Sequence, residues 1–158
     1  MTREQFISHV EVTQKAFRRF LVSLCCGDCA LADDVAQETY LKAYLSCDGF
    51  TDAEKFKAWI FRIGYNAFID HKRSSKSFAD YQEATAMASA DATDAAFRYE
   101  ALHMALNSLS AKERTSVLLF YMEDYSIKEI ADIEDVSQEA VRQHLSRGRR
   151  HLRDLLSK

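Results

Sequence analysis

Apolar side chains return with helical period along almost the whole chain. From Phe6 to Cys26, and again from Ala32 to Leu45, they recur every three or four positions. The second run passes through Val35, Thr39, Leu41 and Leu45, with Tyr40 and Tyr44 beside them. After Thr51, the positions Phe56, Trp59, Ile60, Ile63 and Ala67 build one apolar stripe that predicts a helix running to about Lys72. The stretch from Ser74 to Asp94, SSKSFADYQEATAMASADATD, loses the period and reads as a flexible linker. Beyond it, the pattern predicts helices over 99–109, 111–122, 127–134 and 137–156. Thr51/Glu54, Ser110/Glu113 and Ser126/Glu129 have the capping-box spacing, in which each side chain satisfies a first-turn backbone N–H. The expectation is an all-α chain of two small helical domains: residues 1–73, a linker at 74–95, and residues 96–158.

Composition sharpens this picture. With 47% hydrophobic and 11% aromatic residues, the chain has material for packed cores. No Pro and only four Gly leave little of the turn chemistry that β-hairpins and Gly-rich phosphate loops need. No apolar run approaches the ~20 residues of a membrane span, and Met1 to Val10 lacks an apolar signal core. No membrane insertion and a cytoplasmic location are therefore expected. Four cysteines are too few and too irregular for a disulfide framework. The net charge of −3 conceals segregation: residues 28–54 carry −6, 55–76 carry +5 and 137–158 carry +4. Two basic patches in an acidic chain fit contact with nucleic acid, where neutralising phosphates supplies affinity.

Ile127, Ile130, Ala131, Ile133, Val136, Val141 and Leu145 lie on two helices flanking a turn at Glu134 and Asp135, with small Ala131 at the expected crossing. This is a helix-turn-helix pattern, with Asp135 where Gly is common and a left-handed backbone is needed. On the last helix, Val141, Leu145, Gly148, Leu152 and Leu155 form the inward stripe. That leaves Gln138, Glu139, Arg142, Ser146, Arg149 and Arg153 facing out, suited to reading base edges in a major groove. The helix after Thr51 carries Arg62, Asn66, Asp70 and Arg73 on one face, with Phe61, Tyr65 and Phe68 on a neighbouring one. Such rings can stack on unpaired bases, but core packing explains Phe61 and Phe68 better. Cys26 and Cys29 have a redox or zinc spacing, yet only His9, Cys25 and Cys47 are near in sequence to complete a site, so no metal or cofactor is assigned. The histidines form no constellation with a nucleophile, so no catalytic residue and no enzyme activity are expected.

Two runs carry a resemblance. Asp33 to Tyr44 (DDVAQETYLKAY) and Phe56 to Arg73 (FKAWIFRIGYNAFIDHKR) resemble region 2 of bacterial RNA polymerase sigma factors, and Leu109 through Arg153 resembles their region 4. Region 2 followed by region 4, without a region 3 domain, is the arrangement of the extracytoplasmic-function group. The resemblance implies that Asp34, Gln37, Glu38 and Leu41 dock on the clamp helices of the polymerase β′ subunit. It implies that the loop from Ser46 to Asp52, with Lys57, Trp59, Arg62, Asn66, Asp70 and Arg73, recognises and opens the minus-ten element. Gln138, Glu139, Arg142, Gln143, Ser146 and Arg149 would read the minus-thirty-five element. Core RNA polymerase (β′ and β subunits), promoter DNA and an anti-sigma factor are the implied partners. The Cys25-Cys26-Gly27-Asp28-Cys29 cluster, Tyr65, Glu139 and Gln143 depart from the usual pattern.

Two rivals remain at this level. One is a two-domain helix-turn-helix regulator, which would need a βαβ sensory half. The other is a thiol redox or metal sensor built on Cys25, Cys26, Cys29 and Cys47. Two modules on a loose acidic tether would also bind promoter DNA poorly until polymerase fixes their spacing.

Overall fold

The computed structural model describes residues 1–74 and 94–157; the expected linker falls almost wholly outside them. An N-terminal bundle consists of α1 (Arg3–Leu24), α2 (Cys29–Ser46) and α3 (Phe56–Ser74). Short 3-10 turns over Cys47–Gly49 and Ala53–Lys55 lead into α3. A C-terminal group follows with α4 (Asp94–Ser108), α5 (Ala111–Val117), a π turn over Leu118–Met122, α6 (Ile127–Glu134) and α7 (Gln138–Leu156).

The helix starts show what sequence chemistry decides locally. Ser110/Glu113 and Ser126/Glu129 form reciprocal capping boxes, Glu113 N and Glu129 N each donating to the serine Oγ at 3.2 Å. A third box, Thr2/Gln5, starts α1, and Ser137 caps α7 by accepting from Ala140 N at 3.1 Å. The Thr51/Glu54 box does not form. Asp52 lies closer and takes the bond, its Oδ1 accepting from Glu54 N at 3.1 Å, so a 3-10 turn precedes α3. The expected single helix over 111–122 also departs from expectation, because it passes into the π turn after Val117. Asp135 ends α6 at φ 57°, the left-handed geometry its position demands.

The N-terminal bundle closes on aromatic rings. Phe6, Phe17, Phe20, Phe56, Phe61 and Phe68 are buried. Phe61 stacks on Phe20 with ring centroids 4.9 Å apart and lies 5.4 Å from Phe17. Burial of each such ring contributes roughly 1.5–3 kcal/mol. Helices α1 and α3 meet at Gly64, where an added Cβ would stand 2.6 Å from the Phe17 ring. Helices α5 and α7 meet similarly at Gly148, 2.8 Å from Val117 Cγ2. On α7, Val141 and Leu145 are buried, but Leu155 is 43% exposed, so the inward stripe ends one turn earlier than its sequence period suggests.

The two halves share one buried cluster, contrary to the picture of modules joined only by a loose tether. Helix α3 packs on α6, and Phe61 meets Tyr125 edge-on at 5.8 Å. Buried Arg114 donates to Leu24 O at 2.7 Å, Leu106 O at 2.9 Å and Leu109 O at 3.1 Å. One guanidinium thereby closes the C-terminal ends of α1 and α4 together, a use suited to its fixed fork of donors.

Candidate functional site

On α2, the turns that bury Ala32, Val35, Thr39 and Ala43 turn Asp34, Gln37, Leu41 and Leu45 to solvent. Leu41 is 60% exposed, so this face offers a large apolar side chain beside a carboxylate and an amide. Glu38 sits at its edge, held by Lys42 Nζ at 3.0 Å and by His71 Nε2, from α3, at 2.8 Å. The bond from Lys42, followed by that from His71, lowers the Glu38 pKa and keeps the carboxylate charged.

Helix α3 separates its two chemistries cleanly. Arg62, Asn66, Asp70 and Arg73 are all exposed along one ridge, as their spacing of four, four and three requires. Phe61, Tyr65 and Phe68 are buried, which removes them from base stacking and settles them as core. Burial pushes the Tyr65 hydroxyl to about 12. Trp59 is half-buried, and one face of its indole is covered by Phe50 at 4.3 Å and 9°. Phe50 lies within the Ser46 to Asp52 loop that the resemblance singled out, and the structure adds its stacking on Trp59. Lys57 stands apart from the ridge. Its Nζ lies 3.5 Å from Glu123 Oε1 and 5.6 Å from the ring centres of both Phe61 and Tyr125.

On α7, Gln138, Glu139, Arg142, Gln143, Ser146 and Arg149 are all exposed. Glu139 pairs with Arg142 at 3.6 Å. Arg149 does not lie opposite the buried stripe. It follows Leu145 by four residues, which puts it on the flank, where its Nη1 donates to Tyr121 Oη at 3.1 Å. Arg150, seven residues after Gln143 and four after Ser146, shares the outward face and is exposed. The sequence reading passes over Arg150, which its heptad spacing from Gln143 could have found.

Beneath α7, Glu134 is buried with Ser116 Oγ donating to its Oε2 at 2.5 Å. Its Oε1 has no hydrogen-bond partner, and His144 Nδ1 lies 3.9 Å away. Burial raises the Glu134 pKa to about 7 and lowers that of His144.

The cysteines are all free. Burial, reinforced by the Asp28 and Cys26 charges, pushes Cys25 up to about 12, so at neutral pH it is a thiol and a poor nucleophile. Burial also raises Cys26. Among the described residues, no three His, Cys, Asp or Glu side chains converge to hold a metal ion, and no helix is long and apolar enough to cross a membrane.

Comparison with known proteins places these faces in context. Residues 9–78 match the family model for sigma-70 region 2, and residues 99–152 match that for sigma-70, region 4. The chain is 30% identical over 145 residues to the ECF RNA polymerase sigma factor SigW of Bacillus subtilis, covering 82% of this chain and 78% of the relative. It is 30% identical to SigM of the same organism, covering 89% and 88%, and 33% identical to CarQ of Myxococcus xanthus, covering 80% and 75%. Among solved structures it superposes on the sigma factor RpoE of Bartonella quintana, in complex with the anti-sigma factor NepR. The TM-score is 0.81, with 27% identity and 96% of each chain covered. It also superposes on CnrH in complex with the cytosolic domain of CnrY, with a TM-score of 0.71 and 25% identity, covering 96% of this chain and 87% of that one.

Proposed function

The chain belongs to the sigma-70 family, in its extracytoplasmic-function group, and on that premise we propose that it joins core RNA polymerase and directs it to promoters. The observation that carries the reading is the presence on one chain of three outward faces of distinct chemistry. One is the mixed apolar and acidic face of α2, another the Arg62–Asn66–Asp70–Arg73 ridge of α3, and the third the Gln, Glu and Arg face of α7.

Each face has a physical role. Asp34, Gln37, Glu38 and Leu41 dock on the polymerase β′ clamp helices: Leu41 loses apolar area to the partner while the carboxylates set orientation. Residues 1–73 then form the module for the minus-ten element. There Arg62 and Arg73 hold phosphates, Asn66 and Asp70 reach base edges, and Trp59 with the loop from Ser46 to Asp52 receives an unpaired base. Residues 96–158 place α7 in the major groove, where Arg142 suits guanine, Gln138 and Gln143 suit adenine, and Glu139 suits the cytosine amino group. Ser146 and Arg149 complete the contact, the latter from the flank.

Sigma factors are non-enzymatic, and this reading involves no cofactor. It puts the chain in the cytoplasm with polymerase. An anti-sigma factor is a further proposed partner, supported by the two structural relatives solved with one. A stand-alone regulator would need a sensory βαβ half, whereas residues 1–74 form a helical bundle.

Run-off transcription tests the reading. Core polymerase with this protein is expected to initiate at a subset of promoters that core enzyme alone ignores. Initiation that is the same with and without the protein, across a promoter library, would overturn it.

A further inference from the structure

The first half of α7 rests on a closed polar cluster. Glu134, the last residue of α6, has a side chain that is 0% exposed, and the His144 side chain beside it is 15% exposed. Ser116 of α5 donates its hydroxyl to Glu134 Oε2 at 2.5 Å and lies 3.4 Å from His144 Nδ1. Glu134 Oε1 has no hydrogen-bond partner and stands 3.9 Å from the same Nδ1, about 1 Å beyond hydrogen-bond reach. Three helices thus meet at one carboxyl group. His144 lies between Gln143 and Ser146, two of the groups assigned above to base contact. Farther along α7, the close approach at Gly148 and the contact of Glu113 with His151 at 3.2 Å hold the second half on α5 independently.

The charges around the cluster decide its protonation state. Lys112 and Glu113 of α5 and Arg147 of α7 act on the pair, and Tyr65 of α3 faces Glu134 with Arg73 nearby. On the π turn packed against α6, Tyr121 is engaged by Arg149, and Glu123 just beyond it is turned to Arg19 and Lys57. Burial raises Glu134 to about 7, and burial with Lys112 and Arg147 lowers His144, so near neutrality the imidazole is uncharged. An ionised Glu134 is then a buried charge whose one ion-pair neighbour among the described residues is neutral. The protonated form removes that charge and supplies the missing bond. Its Oε1–H donates to His144 Nδ1 once the two close by about 1 Å, while Oε2 still accepts from Ser116.

We propose that Ser116, Glu134 and His144 form a proton-dependent seat for α7: the protonated carboxyl bridges α5 and α7, and loss of its proton unseats the first half of α7 and weakens its hold on promoter DNA. The effect on DNA rests on the function proposed above; the seat itself does not. Once α7 lifts and water enters, Glu134 returns to the ordinary carboxylate range. Rising pH therefore favours the unseated form, by about tenfold between pH 6 and pH 8, and the change levels off above the folded-state value.

The test uses the full-length chain as wild type, Glu134→Gln and His144→Gln. Carboxyl NMR of the free protein reads the titration of Glu134, and amide hydrogen exchange, corrected for its intrinsic pH dependence, reads the protection of α7. In wild type, Glu134 is expected to titrate near neutrality, and residues 138–147 should lose protection about tenfold from pH 6 to pH 8. Glu134→Gln, whose amide reproduces the protonated bridge, should hold its protection at both. His144→Gln sets an amide N–H against the carboxylate and should move the transition to lower pH. Bound to core polymerase, wild type should lose about threefold or more in promoter affinity over the same range relative to Glu134→Gln.

A Glu134 carboxyl that titrates in the ordinary range, or wild-type protection that is flat from pH 6 to pH 8, would overturn the seat. Promoter affinity that stays constant while the protection changes would overturn its coupling to DNA. If Glu134→Gln misfolds, wild type against His144→Gln still decides between these outcomes. Failure of every version to bind promoter with polymerase at pH 6 would overturn the proposed function instead, and the exchange data would still decide the seat.

Discussion

The N-terminal bundle and the C-terminal group are both small and helical, yet they are held by different means. In the bundle, the buried side chains are Phe6, Phe17, Phe20, Phe56, Phe61 and Phe68 with aliphatic neighbours, and Ser23 and Thr39 are the buried polar residues. In the C-terminal group, buried positions include His103, Glu113, Arg114, Thr115, Ser116, Glu123 and Glu134. Apolar burial itself is non-directional and leaves no unpaired polar group when a side chain shifts. A buried polar network holds only while every partner is in place, because an orphaned charge in a low dielectric is costly. The half that carries α2 is thus apolar inside, whereas the half that carries α7 encloses a buried polar network.

This contrast breaks hardest at Phe61, the ring that belongs to both sides of the comparison through Phe17, Phe20 and Tyr125. Phe61→Ala is expected to cost about 3–5 kcal/mol of unfolding free energy, measured by urea denaturation, and to loosen both halves. A loss confined to residues 1–74 by amide hydrogen exchange would show that the halves are energetically separate.

The next test targets the polar interior. The Glu134 pKa is raised to about 7, so the folded state holds its proton where the unfolded chain has lost it. Stability from this group is complete below the ordinary carboxylate range and is lost as pH rises from there through about 7. Its size is of the order of 3 kcal/mol. Glu134→Gln keeps an acceptor for Ser116 and should remove this loss, so its advantage over wild type grows from pH 5 to pH 8 in denaturation measurements. An advantage equal at both pH values would mean that the carboxyl is ionised in the fold. Glu38, in the other half, shifts in the opposite direction, so its smaller contribution appears above the ordinary carboxylate range and fades as pH falls.

On α7, Arg142→Ala is expected to cost about 1–3 kcal/mol in upstream promoter binding by the polymerase complex and to relax preference at one base position. Arg149→Ala should weaken binding evenly across sequences, since its guanidinium is already engaged by Tyr121 Oη and is less free to fork onto one base. A promoter library scored with each variant separates the two patterns.

The smallest expected structural effect is at Asp34. It is exposed, and Asp34→Lys should leave the thermal melt within about 0.5 kcal/mol of wild type while reducing capture of core polymerase. Glu38→Lys makes an informative contrast, because it also severs the tie to His71 and should lower stability as well. Equal capture by Asp34→Lys and wild type would move the docking face elsewhere.

Much of this was legible in the sequence for local reasons. A period of three to four fixes where a helix lies and which side is apolar, and serine–glutamate pairs three apart fix where α5 and α6 begin. Asp135 announced the left-handed turn of the helix-turn-helix, and the Arg62, Asn66, Asp70 and Arg73 spacing announced a single ridge. The same local logic failed where two short-range solutions competed: Asp52 displaced Thr51 as a cap, and the helix after Ser110 gave way to a π turn.

What only the tertiary structure decided is what each face touches. A helical period defines a direction but not its contents, so Phe61 and Tyr65 could have met bases and instead meet the core, and the Arg149 guanidinium is tied to Tyr121. Arg114 closing α1 and α4, and Glu123 closing on Arg19 and Lys57, join residues 90 and 104 or 66 positions apart. No local rule reaches across such separations. Those contacts exist because burial of Phe61 against Tyr125 brings the charged groups together where water is scarce, and there an ion pair must be matched or avoided.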